Sequence, residues 1–187
     1  MFNNRSQFHK GFTLIETLFA ILIFSSALIA LMTIAGRGIS ATADAEQTTT
    51  ASYLAQEGIE VARNMRDSNY ANNATSWDVG FSTCTQTAPC MVQYNDLSLG
   101  TPTLTTCGGT TCPAIYQLPA SNFYVDQLLP GAVPSQYTRT VYVKAAPLPP
   151  NSTISGINEY EVTSIVTWTS KTIPHVVTLN TILKDWH

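Results

Sequence analysis

From Phe12 to Ala35 the chain is apolar almost without interruption, and Glu16 is the only charge in the run. A helix of that length rises about 36 Å, enough to cross the hydrocarbon core of a bilayer. Its apolar residues fall on every side, which predicts a membrane-spanning helix. Past Gly36-Arg37-Gly38 the pattern changes. Ala51, Leu54, Gly58, Val61, Ala62 and Met65 recur at steps of three and four. That spacing predicts a second helical half over 39–67, with one stripe packed on a sheet. Glu60, Arg63 and Asp67 fall on its other side, where i,i+3 and i,i+4 pairs form. Thr48-Thr49-Thr50 is a weak helix former that relies on the helix on both sides of it. Asp67-Ser68-Asn69 and Asn72-Asn73 end the helix.

Beyond it, Thr, Gly, Pro and Asn dominate up to Pro134, with short apolar pieces at Met91-Val92 and Phe123-Tyr124-Val125. Loops with a few short strands fit that composition. Then the period becomes two. Tyr137, Arg139, Val141 and Val143 alternate with Thr138, Thr140, Tyr142 and Lys144. Tyr160, Val162, Ser164, Val166 and Trp168 do the same, Ser170-Lys171-Thr172 turns, and 175–183 returns. This predicts a small antiparallel sheet of three to five strands. The organisation read from the pattern is a short polar stretch at 1–11, a transmembrane half-helix at 12–35 and an amphipathic half at 36–69. A loop-rich region with the cysteines follows at 70–134, then an antiparallel sheet at 135–187. The fold class is α+β.

Composition narrows the setting. The chain has 187 residues, enough for one domain and a helical stalk. Charged residues make up only 11%, with hydroxyl and amide side chains in their place, a surface common outside cells. Net charge is −3, and becomes −5 if a leader holding Arg5 and Lys10 is removed. That argues against nucleic acid as a general partner. Arg5 and Lys10 before the apolar run favour a cytoplasmic leader. The four cysteines, Cys84, Cys90, Cys107 and Cys112, then lie in an exported segment, where an even count suggests disulfides. Three connectivities are open. Cys84–Cys90 with Cys107–Cys112 is favoured, because each pair closes a short loop turned by Pro89 or by Gly108-Gly109. Zinc is disfavoured, since neither a tight C-x-x-C pair nor a nearby histidine is present.

Gly11-Phe12-Thr13-Leu14-Ile15-Glu16, with Arg5, His9 and Lys10 upstream and the apolar helix downstream, resembles the class III signal of type IV pilins and type II secretion pseudopilins. Residues 51–67, around Ala55-Gln56-Glu57-Gly58-Ile59-Glu60, resemble the amphipathic helix half of those proteins. Thr167-Trp168 and the closing run from Val177 to Trp186 are similar to the last strands of V-type minor pilins and I-type minor pseudopilins. The stretch 68–134 resembles nothing in particular. The resemblance implies a pilin-like fold: a long helix packed on a small sheet. It implies that 1–11 is a prepilin leader, cleaved by prepilin peptidase between Gly11 and Phe12, and N-methylation of Phe12. It also implies assembly with other pilin or pseudopilin subunits on an inner-membrane platform. Family members often melt part of the helix at a proline on assembly. This chain has none between Met1 and Thr75, which leaves Ser25-Ser26 or the glycine pair.

Glu16 carries the main chemical question. A carboxylate inside a span costs roughly 2.5–3.5 kcal/mol at its centre and less near an end. After cleavage at Gly11, Glu16 lies one helical turn from the new amino terminus. Pairing with the Phe12 amine of a neighbouring subunit would remove both costs; the plainer reading has Glu16 snorkelling to the interface. Thr13 can bond within the helix or to the new terminus. No P-loop, G-x-S-x-G elbow, H-E-x-x-H or dinucleotide fingerprint occurs, so an enzyme is not expected. No cofactor or metal is expected either. His175 reads as an ordinary strand residue, Glu159 and Glu161 as solvated, and Trp168, Trp186, Tyr142 and Tyr160 as sheet cover. Arg139, Lys144, Lys171 and Lys184 could form a weak basic patch. A secretory signal is the rival for the N-terminus. A membrane-anchored adhesin that never polymerises is the rival for the function.

Overall fold

Thr13 opens the long helix. Its Oγ1 accepts the Glu16 N–H at 3.3 Å and its carbonyl accepts the Thr17 N–H at 3.2 Å. This satisfies donors that the first turn would otherwise leave free. The helix α1 (Leu14–Ala71) follows, and neither Gly36 nor Gly38 breaks it. The computed structural model describes residues 11–93, 103–119, 121, 123–126, 128–146 and 159–185. The chain divides into two compact units, residues 1–45 and 46–187.

In the first unit the helix is exposed on all sides. Phe12, Ile15, Leu18, Phe19, Ile21, Leu22, Ile23 and Phe24 lie more than half open, and none of the most apolar window of α1 is buried. Its hydroxyls are turned back onto the helix. Thr17 donates to the Leu14 carbonyl, Ser25 to Ile21, Ser26 to Ile23 and Thr33 to Ile29, at 2.7–2.9 Å. In lipid, where water cannot take up a hydroxyl, that is how a serine or threonine is satisfied within one helix.

The second unit holds seven strands among the described residues: β1 (Cys90–Gln93), β2 (Thr103–Thr106), β3 (Ala114–Leu118), β4 (Phe123–Val125), β5 (Val133–Ala145), β6 (Glu159–Ser170) and β7 (Ile173–Lys184). The expectation was three to five. The surplus comes from four short strands in the loop-rich region, each three to five residues long. Such strands are too short to show a period, and are set by pairing to a neighbour already in place. All pairings are antiparallel. β5 is the hub. One edge runs along β6, which pairs with β7; the other edge is shared. Val141 meets Cys90 of β1, while Val133, Pro134 and Thr138 meet β3. β2 and β4 close the outer edges.

The alternation in β5 is the one written in its sequence. Tyr137, Arg139, Val141 and Val143 are buried, with Thr138, Thr140, Tyr142 and Lys144 more open. In β6, Val162, Ser164, Val166 and Trp168 face the same way. The helix lays Ala51, Leu54, Ala55, Gly58, Ile59, Val61 and Ala62 on this face. Two core clusters result. Ala51, Leu54 and Ala55 pack with Ile115, Tyr137, Val166 and Trp168. Ile59, Val61 and Ala62 pack with Trp77, Phe81, Val92, Val141 and Val162. Gly58 lies between them, where a Cβ would stand 2.5 Å from Ser164 Oγ.

Candidate functional site

The N-terminal segment brings Gly11, Phe12, Thr13 and Glu16 within the three residues before α1 and its first turn. Gly11 is exposed with nothing near its Cβ position, and Phe12 is 79% exposed. Thr13-Leu14-Ile15-Glu16 fits the capping-box spacing, with the cap bond from Glu16 N–H to Thr13 Oγ1. S/T-x-x-E ahead of an apolar run is the sequence signal for this cap, and Thr13 with Glu16 carries it. The cap places the Glu16 side chain in the first turn, at the positive end of the helix dipole, where a carboxylate is favoured. Arg5, His9 and Lys10 lie outside the described residues. Among the described residues the segment offers no nucleophile with a base; it offers an accessible Gly11–Phe12 peptide, an acid one turn on, and an apolar surface that no described part of its own unit covers.

A second constellation lies in the other unit. The Arg139 side chain is wholly buried. Its Nη1 donates to the Leu54 carbonyl at 3.0 Å and to Glu57, and its Nη2 to Asp126 Oδ2 at 3.0 Å. Asp126 Oδ2 also accepts the Val92 N–H at 2.6 Å. The Arg139–Asp126 pair thus ties together α1, β1, β5 and the residue after β4. Burial pushes the Asp126 carboxyl up, outweighing the pull of Arg139. Burial works against the Arg139 charge too, but Asp126 and Glu57 overcome it and the net shift is upward. Two orphans, Asp126 Oδ1 and Arg139 Nε, find no partner among the described residues. Breaking such a pair from one side costs about 3–5 kcal/mol, because it strands a buried charge.

Arg139, Lys144, Lys171 and Lys184, which by sequence could form a weak basic patch, do not share one. Arg139 is inside the sheet–helix core, and two of the other three cations are neutralised across strands. Lys144 meets Glu161 and Lys184 meets Glu159, each at 2.9 Å. The same bonds correct the reading of Glu159 and Glu161 as solvated: both are half-buried and paired. Trp168 is buried against Tyr137, and His175 stacks on it at 5.1 Å between centroids. Tyr160 packs on Trp77 and Phe81 and donates to Asp78 at 2.8 Å. Trp186 lies outside the described residues. Cys84 faces Cys90, and Cys107 faces Cys112, at disulfide distance. The first pair is buried, and the Cys84 carbonyl accepts the Val143 N–H at 2.6 Å, holding that loop to β5. No group of three or more metal-ligating side chains occurs among the described residues.

Residues 7–32 match the family described as the prokaryotic N-terminal methylation motif. No curated protein and no solved structure matches the chain. The matched segment spans Gly11 to Glu16 and most of the exposed apolar half of α1. Its presence is consistent with the type IV pilin and pseudopilin family. The layout, one long apolar N-terminal helix with an antiparallel seven-stranded sheet, is α+β and consistent with a pilin-like fold. Motif and helix together accord with a single-pass, membrane-anchored structural protein.

Proposed function

We propose that the chain is a minor pilin or pseudopilin, a structural subunit of a type IV pilus or a type II secretion-like filament. Prepilin peptidase cuts between Gly11 and Phe12 and methylates the new Phe12 amine. The subunit waits in the inner membrane with its cysteine-bearing part outside the cytoplasm, the Cys84–Cys90 and Cys107–Cys112 pairs oxidised. The assembly platform then passes it to other pilin subunits. One observation carries the reading: the methylation motif sits on a helix whose apolar half has no partner within its own unit, so bilayer and filament supply the partners in turn. In the filament Glu16 meets the Phe12 amine of a neighbour. Contacts of this head-to-tail kind do not close on themselves, and so propagate as fibres.

The test joins mass spectrometry of the native N-terminus with Glu16→Ala. Expected are a chain that begins at methylated Phe12, and a variant that is cut and inserted normally yet depleted several-fold from sheared filaments. An intact Met1 in the mature protein would sink the processing step. Wild-type recovery of Glu16→Ala in filaments would sink the pairing.

A further inference from the structure

Among the described residues β7 pairs only with β6, which leaves its other side as a free edge 12 residues long. Such an edge is a row of main-chain donors and acceptors, which folded proteins usually guard with charge, proline or a bulge. In β7, Pro174 stands at one end and Lys184, paired with Glu159, at the other. Between them, 175–183 holds no Asp, Glu, Lys, Arg or Pro. The register against β6 is unbroken, so no bulge turns the edge away.

The turn fixes which groups face out. Lys171 and Thr172 both have positive φ, as a type I′ turn requires, and such a turn points the Ile173 N–H back at β6. With a period of two, Val176, Thr178, Asn180 and Ile182 then direct N–H and C=O outward. Pro174, with no N–H to offer, falls on the same side. In polarity these four residues read the same both ways about Leu179: apolar, polar, polar, apolar. Laid antiparallel on its own copy with Leu179 opposite Leu179, β7 sets Val176 against Ile182 and Thr178 against Asn180, each twice. Outward residues face outward residues throughout, so each of these pairs closes two main-chain bonds. Val176 and Ile182 are 62% and 54% exposed, and Val177 and Leu179 on the inner face are only half-buried. Both faces thus keep apolar surface for the same partner to cover.

We propose that β7 docks a second copy of this chain edge to edge in this register, joining two sheets into one. The twofold axis of such a pair stands perpendicular to the sheet, so the 46–71 parts of α1 run antiparallel in the two copies. The contact closes on itself and suits copies that meet from opposite directions. It is separate from the open-ended contacts of a filament and does not need the Phe12–Glu16 pair.

Sedimentation of the full chain in detergent micelles is expected to show a concentration-dependent monomer–dimer equilibrium. Thr178→Lys with Asn180→Lys sets like charges opposite each other twice across the twofold, and should weaken the dimer about tenfold. Both positions are exposed, so the near-ultraviolet signal of the folded second unit should persist. Glu16→Ala should leave the dimer intact, which separates this contact from the filament reading. Leu179 would meet its own copy in a non-hydrogen-bonded pair, about 4.5 Å between Cα atoms and within disulfide reach. Leu179→Cys should therefore oxidise to a covalent dimer. Thr181→Cys, whose copies would lie four residues out of step, should not. A monomer at every concentration, a dimer indifferent to the two lysines, or equal cross-linking of the two cysteine variants would each overturn the proposal.

Discussion

Arg139 stands on the inward face of β5 because the two-residue period puts it between Tyr137 and Val141. A charge there has to be neutralised on the spot. The alternation was legible in the chain, but the consequence for Arg139 was not: its partners Glu57 and Asp126 lie 82 and 13 residues away. Half-buried Asp78 takes its main partner locally and a second one from β6. The Ser76 hydroxyl, more than the Tyr160 hydroxyl, holds its carboxyl below the usual value of 3.8, against a smaller opposing effect of burial. A carboxyl lowered by folding contributes stability above its unfolded pKa, and that contribution is lost as pH falls through the folded value. The thermal midpoint should therefore fall on acidification below about pH 4, and Asp78→Asn should flatten the curve in that window. Asp126, raised by burial, acts with the opposite sign: its contribution declines as pH rises from the unfolded pKa towards the folded one. Comparing the variant with the wild type isolates Asp78.

At the scale of elements, closeness of approach governs. Gly58 lets α1 lie against β5 and β6, with the Cβ position 2.5 Å from Ser164 Oγ and 3.0 Å from Val141 Cγ2. In a free helix Gly58→Ala would gain up to about 1 kcal/mol of propensity. Here overpacking of about 1–3 kcal/mol outweighs it, so the variant should lose about 1 kcal/mol of stability in denaturant titration. Ser164 Oγ is buried with no partner among the described residues, so Ser164→Ala should cost little. The double variant should recover part of the Gly58→Ala loss, since the clashing oxygen is gone. The stripe through Gly58 was visible as spacing. That the glycine is the point of contact required the sheet opposite it. The β6–β7 turn was equally visible as Ser170-Lys171-Thr172, yet Lys171 and Thr172 both take positive φ, at 49° and 73°. Such values usually call for Asn or Gly, and the residue types gave no sign of them.

At the scale of the whole molecule, the two units answer to different surroundings. The second carries its own core, and the Cys84–Cys90 pair fastens its irregular stretch to β1 and β5. Closing so short a loop is worth about 2 kcal/mol in the loop-entropy view. Paired Cys84→Ser and Cys90→Ser substitutions should lower the stability of this unit by about that much, read from the loss of near-ultraviolet signal in denaturant. Reductant should shift the wild type in the same direction and leave the variant with only the response of Cys107–Cys112.

The membrane-length helix, the single acid in its first turn, the apolar stripe that follows and the alternation of β5 and β6 were legible along the chain. Each is a periodicity or a count within a short window, and local geometry alone turns it into structure. Long-range packing set the four short strands, the burial of Arg139 with Glu57 and Asp126, and the contact at Gly58. Those depend on residues far apart in the chain being brought within a few ångströms, where desolvation and packing, rather than pattern, set the outcome.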